Sequence, residues 1–251
     1  MEMSNQRKLA TVIMAAGKGT RMNSDLPKVL HLVDDKPMLI HVIDLARRLD
    51  SDKIIVLLGY KKELVIDAIK SENVEYVIQE PQLGTGHAVQ QAEPLLKYFD
   101  GNVLVLSGDV PLLRKSTIDQ MLKIHRGAAN GATVLTAIFD DPHGYGRVIR
   151  RDNDTLDHII EDKDCSDEQR RIKEINAGIY VFKSKELFPA LNKIKNDNLQ
   201  NEYYLPDALK YIAKAKQSIA LHITDEPIEI SGVNTVEQLS DLNLIYKKWY
   251  E

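Results

Sequence analysis

Leu9-Ala10-Thr11-Val12-Ile13-Met14-Ala15-Ala16-Gly17-Lys18-Gly19-Thr20-Arg21-Met22 decides the fold class. Its first half, Leu9–Met14, is apolar but for Thr11, the composition of a strand covered on both faces. Its second half is a polar loop with two glycines bracketing a lysine. Glycines there let the backbone approach a polyanion closely and aim N–H groups at it. In open α/β sheets ligands bind beyond the carboxyl ends of the strands, where this loop stands. It lacks the third glycine of a dinucleotide fingerprint and the Gly-Lys-Ser/Thr of a P-loop. What it adds is positive charge. Residues 1–30 carry Arg7, Lys8, Lys18, Arg21 and Lys28 against Glu2 and Asp25, a local +3.

Downstream of this loop the rhythm repeats. Lys53–Leu58, Val74–Gln79 and Asn102–Ser107 read as further buried strands. Between the strands, Pro37–Leu49, Gly84–Phe99 and Lys115–Ala128 carry apolar residues at helical spacing, with Pro37 suited to a first turn. Successive βα units imply a parallel sheet with right-handed crossovers. After Phe139 the pattern changes, past a turn cluster at Asp140–Gly144. Arg147–Arg151, Thr155–Glu161 and Ile175–Phe182 read as strands with few helices between them. The fold class is therefore α/β, a Rossmann-like, mostly parallel sheet flanked by helices, with a β-rich elaboration in the second half. Thr235–Tyr250 closes the chain as a helix opened by a capping box, Thr235 with Gln238. Its apolar stripe is Val236, Leu239, Leu242, Ile245, Tyr246 and Trp249. That helix could dock on the domain or pair with another subunit.

Composition narrows the classes. The 251 residues are 43% hydrophobic and 28% charged, ordinary globular values that exclude collagen-like and disordered chains. No apolar run reaches the roughly 18–20 residues of a membrane span. A single cysteine, Cys165, excludes a disulfide framework and a multi-cysteine zinc site. The net charge of −4 argues against a nucleic-acid binder. These readings point to a cytoplasmic protein with small-molecule substrates; they leave a homo-oligomer open.

Three later motifs carry chemistry. Gln79-Glu80-Pro81-Gln82-Leu83-Gly84-Thr85-Gly86-His87 leaves a strand and opens a helix. An amide such as Gln79 can read a base edge, and backbone N–H groups at Gly84 and Thr85 can bond a carbonyl. The same stretch would also serve as a polar helix cap, and His87 reads as a packing or capping residue. Val103–Ser107 ends in Gly108-Asp109, a carboxylate suited to Mg2+ or to a turn. Asn176 sits in an apolar strand, where an unpaired amide costs about 1–3 kcal/mol, so it needs a ligand or a core partner.

The string Ala15–His31, with Pro27-Lys28, resembles the signature loop of sugar-1-phosphate nucleotidyltransferases. Within them it is most similar to the pyrophosphorylase domain of bacterial N-acetylglucosamine-1-phosphate uridylyltransferases. The resemblance runs from about Leu9 to Tyr246, with the motifs in order. It implies that Ala15, Ala16, Gly17, Gly19 and Thr20 wrap a nucleoside triphosphate, with Arg21 and Lys28 balancing its charge. It assigns uracil recognition to Gln79, Gln82, Gly84 and Thr85. It gives Mg2+ to Asp109 and Asn234, and the sugar to Gly146, Glu161, Asn176, Glu202 and Tyr204. One departure is Ala177, where a threonine is frequent. The acetyltransferase half of the bifunctional relatives has no counterpart here.

The expected activity is transfer of a uridylyl group from UTP to N-acetylglucosamine 1-phosphate in a single nucleotidyltransferase domain. Residues 1–139 would hold the nucleotide and 140–234 the sugar, with 235–251 as a terminal helix. The rivals are another sugar 1-phosphate (glucose 1-phosphate with UTP or dTTP) and a non-catalytic nucleotide-sugar-binding regulator.

Overall fold

The computed structural model describes residues 8–19, 22, 24–233 and 235–250. Strand β1 (Leu9–Ala15) lies between two parallel neighbours, β4 (Lys53–Leu58) and β6 (Asn102–Ser107). Beyond β4 runs β5 (Glu75–Ile78), also parallel. The successive βα units therefore form the parallel block that the apolar runs imply. Alternation explains why both faces need cover: Val12, Ile55, Leu57 and Val105 enter one core cluster. Ile13, Val56, Leu104 and Leu106 enter the other. Truncating such a side chain, as in Leu104→Ala, costs about 2–5 kcal/mol.

Helix α1 (Met38–Arg48) precedes β4 in the chain and α2 (Lys62–Ile69) leaves it. Pro37 stands one residue before α1 and pairs with Leu32 in a small antiparallel ladder of β2 (Leu32–Val33) and β3 (Lys36–Pro37), rather than in the first turn. The expected Gly84–Phe99 helix is two pieces, α3 (Thr85–Gln90) and α4 (Glu93–Leu96). Pro94 explains the break, since its ring would collide with the Gln90 carbonyl of a continuous helix. Helix α5 (Lys115–Gly127) matches its periodicity.

The second half extends the same sheet. β7 (Ala132–Ile138) and β10 (Glu174–Lys183) pair antiparallel, and β10 also pairs antiparallel with β6. β8 (Arg147–Arg150) joins β10, and β9 (Leu156–Ile160) joins β8. The strand order is completed by β11 (Ile219–Ile223), parallel to β7 at the edge. Between β8, β9 and β10 the described residues hold only short 3-10 turns, in line with the expected few helices, and two helices follow β10, α6 (Ser184–Leu191) and α7 (Asp207–Lys214). Leu187, Leu191, Leu209 and Ile212 bury their apolar face in the core cluster that holds Val12 and Val105.

Helix α8 (Val236–Tyr250) opens with the capping box: Gln238 N–H donates to Thr235 Oγ1 and Thr235 N–H to Gln238 Oε1, both at 3.2 Å. Leu242, with Leu239, Ile245, Tyr246 and Trp249, packs on Met22, Val33, Met38 and Val233. The helix therefore docks on its own domain, beside the first loop. Val236 departs from the expected stripe and is 58% exposed, because the helix turns that position to solvent.

Candidate active site

A cleft of about 760 Å³ opens at the carboxyl ends of β1, β5 and β6. Ala15, Ala16, Gly17, Gly19 and Lys28 line one wall. Gln79, Gln82, Gly84 and Thr85 line another, and Asp109 and Glu202 close it. Thr20, Arg21 and Asn234, expected at the same site, lie outside the described residues.

The first loop folds over Lys28. Gly19 has φ +56°, and a Cβ there would lie 2.6 Å from Lys28 Cβ, so the turn and the close approach both require glycine. Lys28 opens a short 3-10 turn whose next residues, Val29 and Leu30, are buried and anchor it. Its ammonium forms an ion pair with Asp109.

The wall of Gln79, Gln82, Gly84 and Thr85 is tied to two neighbours. Gln79 is 5% exposed, and its Nε2 donates to Gly84 O at 2.9 Å. The Gln82 amide donates to Ala16 O, linking this wall to the first loop. Gly84, at φ +107°, packs so closely on Tyr203 that a Cβ would lie 2.7 Å from its carbonyl oxygen. Gly86 N–H donates to Tyr203 O at 2.7 Å, and Tyr203 N–H to Leu83 O at 2.8 Å. The Thr85 hydroxyl accepts from Leu205 N–H at 2.9 Å, so its oxygen supports the fold.

Asp109 stands one residue beyond Gly108, past the end of β6. Val233 N–H donates to its carbonyl at 3.3 Å. A Cβ at Gly232 would lie 3.2 Å from Asp109 Oδ2, so the bare glycine leaves room beside that carboxylate. Among the described residues, no group of three His, Cys, Asp or Glu gathers to hold a metal. A lone carboxylate in an open cleft suits Mg2+, which binds through one or two carboxylates plus substrate phosphates.

The segment behind Asp109 is itself fixed by Glu229, which is fully buried. Its Oε2 accepts from Arg114 N at 3.0 Å and Nε at 3.1 Å, and Thr117 Oγ1 reaches Oε1 at 2.7 Å. Thr224 Oγ1 adds a further bond.

Gly146, Glu161 and Asn176 converge in the second half. A Cβ at Gly146 would lie 3.5 Å from Glu161 Oε1, and Asn176 N–H donates to Gly146 O at 2.8 Å. Burial first, then Asp164, Asp207, Glu202 and Asp162, push the Glu161 carboxyl up to about 7. Asn176 has its core partners: Nδ2 donates to Tyr180 Oη at 2.7 Å, and Oδ1 accepts from Gly178 N–H at 3.2 Å. Tyr204 is buried, does not line the cleft, and accepts from Gln200 Nε2 at 2.7 Å.

Residues 11–204 match the MobA-like NTP transferase domain. The chain belongs to that family. This nucleotidyltransferase is 42% identical over 241 residues to the bifunctional protein GlmU of Syntrophomonas wolfei, covering 96% of this chain and 54% of the relative. Against GlmU of Clostridium beijerinckii it is 47% identical over 236 residues, 94% of this chain and 51% of the relative. The chain thus spans about half the length of the curated relatives it matches. A UDP-glucose pyrophosphorylase solved with UDP-glucose shares the fold at TM-score 0.73 and 20% identity, covering 96% of this chain and 99% of that one. A Bacillus anthracis protein assigned as a glucose-1-phosphate thymidylyltransferase does so at 0.72 and 19%, covering 94% of each. No helix among the described residues is long and apolar enough to cross a membrane.

Two residues beside the expected sugar-side residues escape sequence reasoning. Tyr180 bonds Asn176, and Asp207 adds charge near Glu161 and Tyr180. A strand spaces residues four apart too widely to bond. Between Asn176 and Tyr180 the register shifts, and Gly178 at φ +71° supplies the bulge that closes them. That glycine was the one available signal.

Proposed function

We propose that this nucleotidyltransferase acts on a sugar 1-phosphate and that its substrates are UTP and N-acetylglucosamine 1-phosphate. A phosphate oxygen of the sugar 1-phosphate attacks the α-phosphorus in line. The bond to the bridging oxygen breaks, pyrophosphate leaves, and UDP-N-acetylglucosamine remains. No side chain need serve as nucleophile, since the attacking phosphate is already ionised. Placement and charge compensation then account for the rate.

One observation carries this reading: Lys28 and Asp109 meet at the mouth of the glycine loop, inside the cleft. Lys28 and Arg21 neutralise the triphosphate, whose backbone contacts come from Ala15–Thr20. Gln79, Gln82, Gly84 and Thr85 take the uracil. Gly146, Glu161, Asn176, Glu202 and Tyr204 form the sugar side, so residues 1–139 and 140–234 divide the two substrates. Asp109 and Asn234 would hold Mg2+, which supplies a Lewis acid at the phosphates when bound. The reaction needs no membrane, and its place is the cytoplasm.

Glucose 1-phosphate is the alternative acceptor. It is favoured by Ala177, which has no hydroxyl to offer an acetamido group. Pyrophosphate release measured with UTP, dTTP, CTP and GTP against both sugar phosphates tests the assignment. UTP with N-acetylglucosamine 1-phosphate should give the highest kcat/KM. Binding without turnover for every pair would make the chain a regulator and overturn the reading.

A further inference from the structure

In a regular strand, residues four apart stand about 13 Å from one another, far beyond bonding reach. In β10 the side chains of Asn176 and Tyr180 nevertheless meet, Nδ2 to Oη at 2.7 Å. Extra chain length brings them together. Asn176 pairs with Thr136 of β7 and Tyr180 with Val134, so four steps of β10 run against two of β7. The surplus is taken up around Gly178, whose φ of +71° suits a residue without a side chain. Bulges re-aim side chains, and the one re-aimed here is an amide.

The partners tell the two ends of that amide apart. Gly178 N–H lies 3.2 Å from one end and can only donate, which identifies that end as Oδ1. The other end is Nδ2, and Tyr180 Oη accepts from it. That hydroxyl is a fixed point. Tyr180 is 1% exposed, its ring stacks on Phe182 at 5.5 Å between centroids, and its backbone pairs with Val105 of β6. A primary amide has two donors and two acceptor lone pairs. Tyr180 and Gly178 use one of each, and no described residue uses the others. The backbone of Asn176 is bonded in turn to Gly146, beside which Glu161 lies.

We propose that Tyr180 is a positioning residue for the sugar phosphate: its core-held hydroxyl locks the Asn176 amide in one orientation, leaving one N–H and one oxygen lone pair for the ligand. A donor and an acceptor at fixed points match sugar hydroxyls, which both accept and donate. Without the Tyr180 oxygen the amide is tied at one end only, by Gly178, and its free N–H loses its fixed direction. This role rests on the reading of Asn176 as a sugar-side residue. It assigns Tyr180 an effect through Asn176 and no contact of its own with the sugar.

The test is a double-mutant cycle on the KM for N-acetylglucosamine 1-phosphate, read by pyrophosphate release in the wild type, Tyr180→Phe, Asn176→Ala and the double variant. Phenylalanine keeps the ring that stacks on Phe182, so Tyr180→Phe removes the hydroxyl and leaves the packing. It should raise the KM for the sugar phosphate about tenfold, the order for one lost hydrogen bond, and leave the KM for UTP unchanged. Added to Asn176→Ala, it should raise the KM no further, because its effect runs through the amide already removed. An unchanged KM in Tyr180→Phe, or the same rise with Asn176 absent, overturns the positioning role alone. A wild-type KM for the sugar phosphate in Asn176→Ala overturns the sugar-side reading of Asn176 and this role together.

Discussion

Lys28 and Asp109 form an ion pair that joins the turn after the glycine loop to the end of β6. Each side chain keeps some exposure, 16% and 18%, so both remain within reach of a ligand in the cleft. The cation is held beside the carboxylate that would hold the metal, so both charges face the cleft where phosphates would enter.

Asp109→Ala and Arg21→Ala should each lower kcat at least ~10²-fold, the order seen on removing a main charge stabiliser. Lys28→Ala should act on the same step, and the Lys28→Ala/Asp109→Ala double variant should lose less than the product of the single losses. Pyrophosphate-release kinetics with circular dichroism as a fold control read this out. Near-wild-type rates in either Asp109→Ala or Arg21→Ala would remove the charge-compensation mechanism.

Glu161 predicts a pH dependence. Its carboxyl is raised from 4.5 to about 7, chiefly by burial. Across that window the folded state keeps a proton that the unfolded state has released. Stability is therefore greater at acid pH and declines as pH rises toward 7. Glu161→Gln should flatten this decline in urea-unfolding midpoints taken from pH 5 to 8. In the active enzyme the KM for the sugar phosphate should fall as pH rises through about 7, while the carboxylate becomes a full acceptor. The KM for UTP should not follow it.

Gly19→Ala should raise the KM for UTP about tenfold with little change in Tm. The strain at φ +56° and the push on Lys28 Cβ are confined to a partly exposed loop. Left-handed backbone at a non-glycine residue costs on the order of 1–3 kcal/mol, enough to displace the loop. Equal UTP affinity in the variant would show that the loop does not wrap the triphosphate.

Glu229→Leu should destabilise the protein by about 1.5–3 kcal/mol, the order for losing hydrogen bonds to a charged group, since Arg114 is 37% exposed and can turn to water. Arg114, Thr117 and Thr224 would each lose an acceptor. Glu229→Gln keeps the shape and should lose less. Chemical denaturation measures both, and equal stability of the two variants would contradict the charge-based account.

Much of the parallel block was legible because Val, Ile and Leu runs mark strands covered on both faces. Lys53–Leu58 and Asn102–Ser107 agree with the sequence reading at both ends. Elsewhere local signals pointed the wrong way. Helix α6 contains Pro189, a breaker by rule, and α2 follows Lys61 at φ +47° with no side-chain cap. β7 and β11 pair with partners far away in sequence, and that pairing determines them more than their own composition. In the site, the glycine loop and the strand-end aspartate carry their chemistry in residue type and order. The approach of Gly232 to Asp109 does not: it depends on how Glu229 folds the chain back, which no spacing encodes.

The hydrogen bonds between Leu83–Gly86 and Tyr203–Leu205 have a thermodynamic consequence. They make the base wall and the Glu202–Tyr204 stretch one mechanical unit, although more than a hundred residues lie between them in the chain. Loosening either partner disorders both, so a substitution such as Gly86→Val should weaken nucleotide and sugar phosphate alike. If the two stretches hold the two substrates as proposed, whichever settles first stiffens the shared scaffold for the second, and their affinities are reciprocally linked.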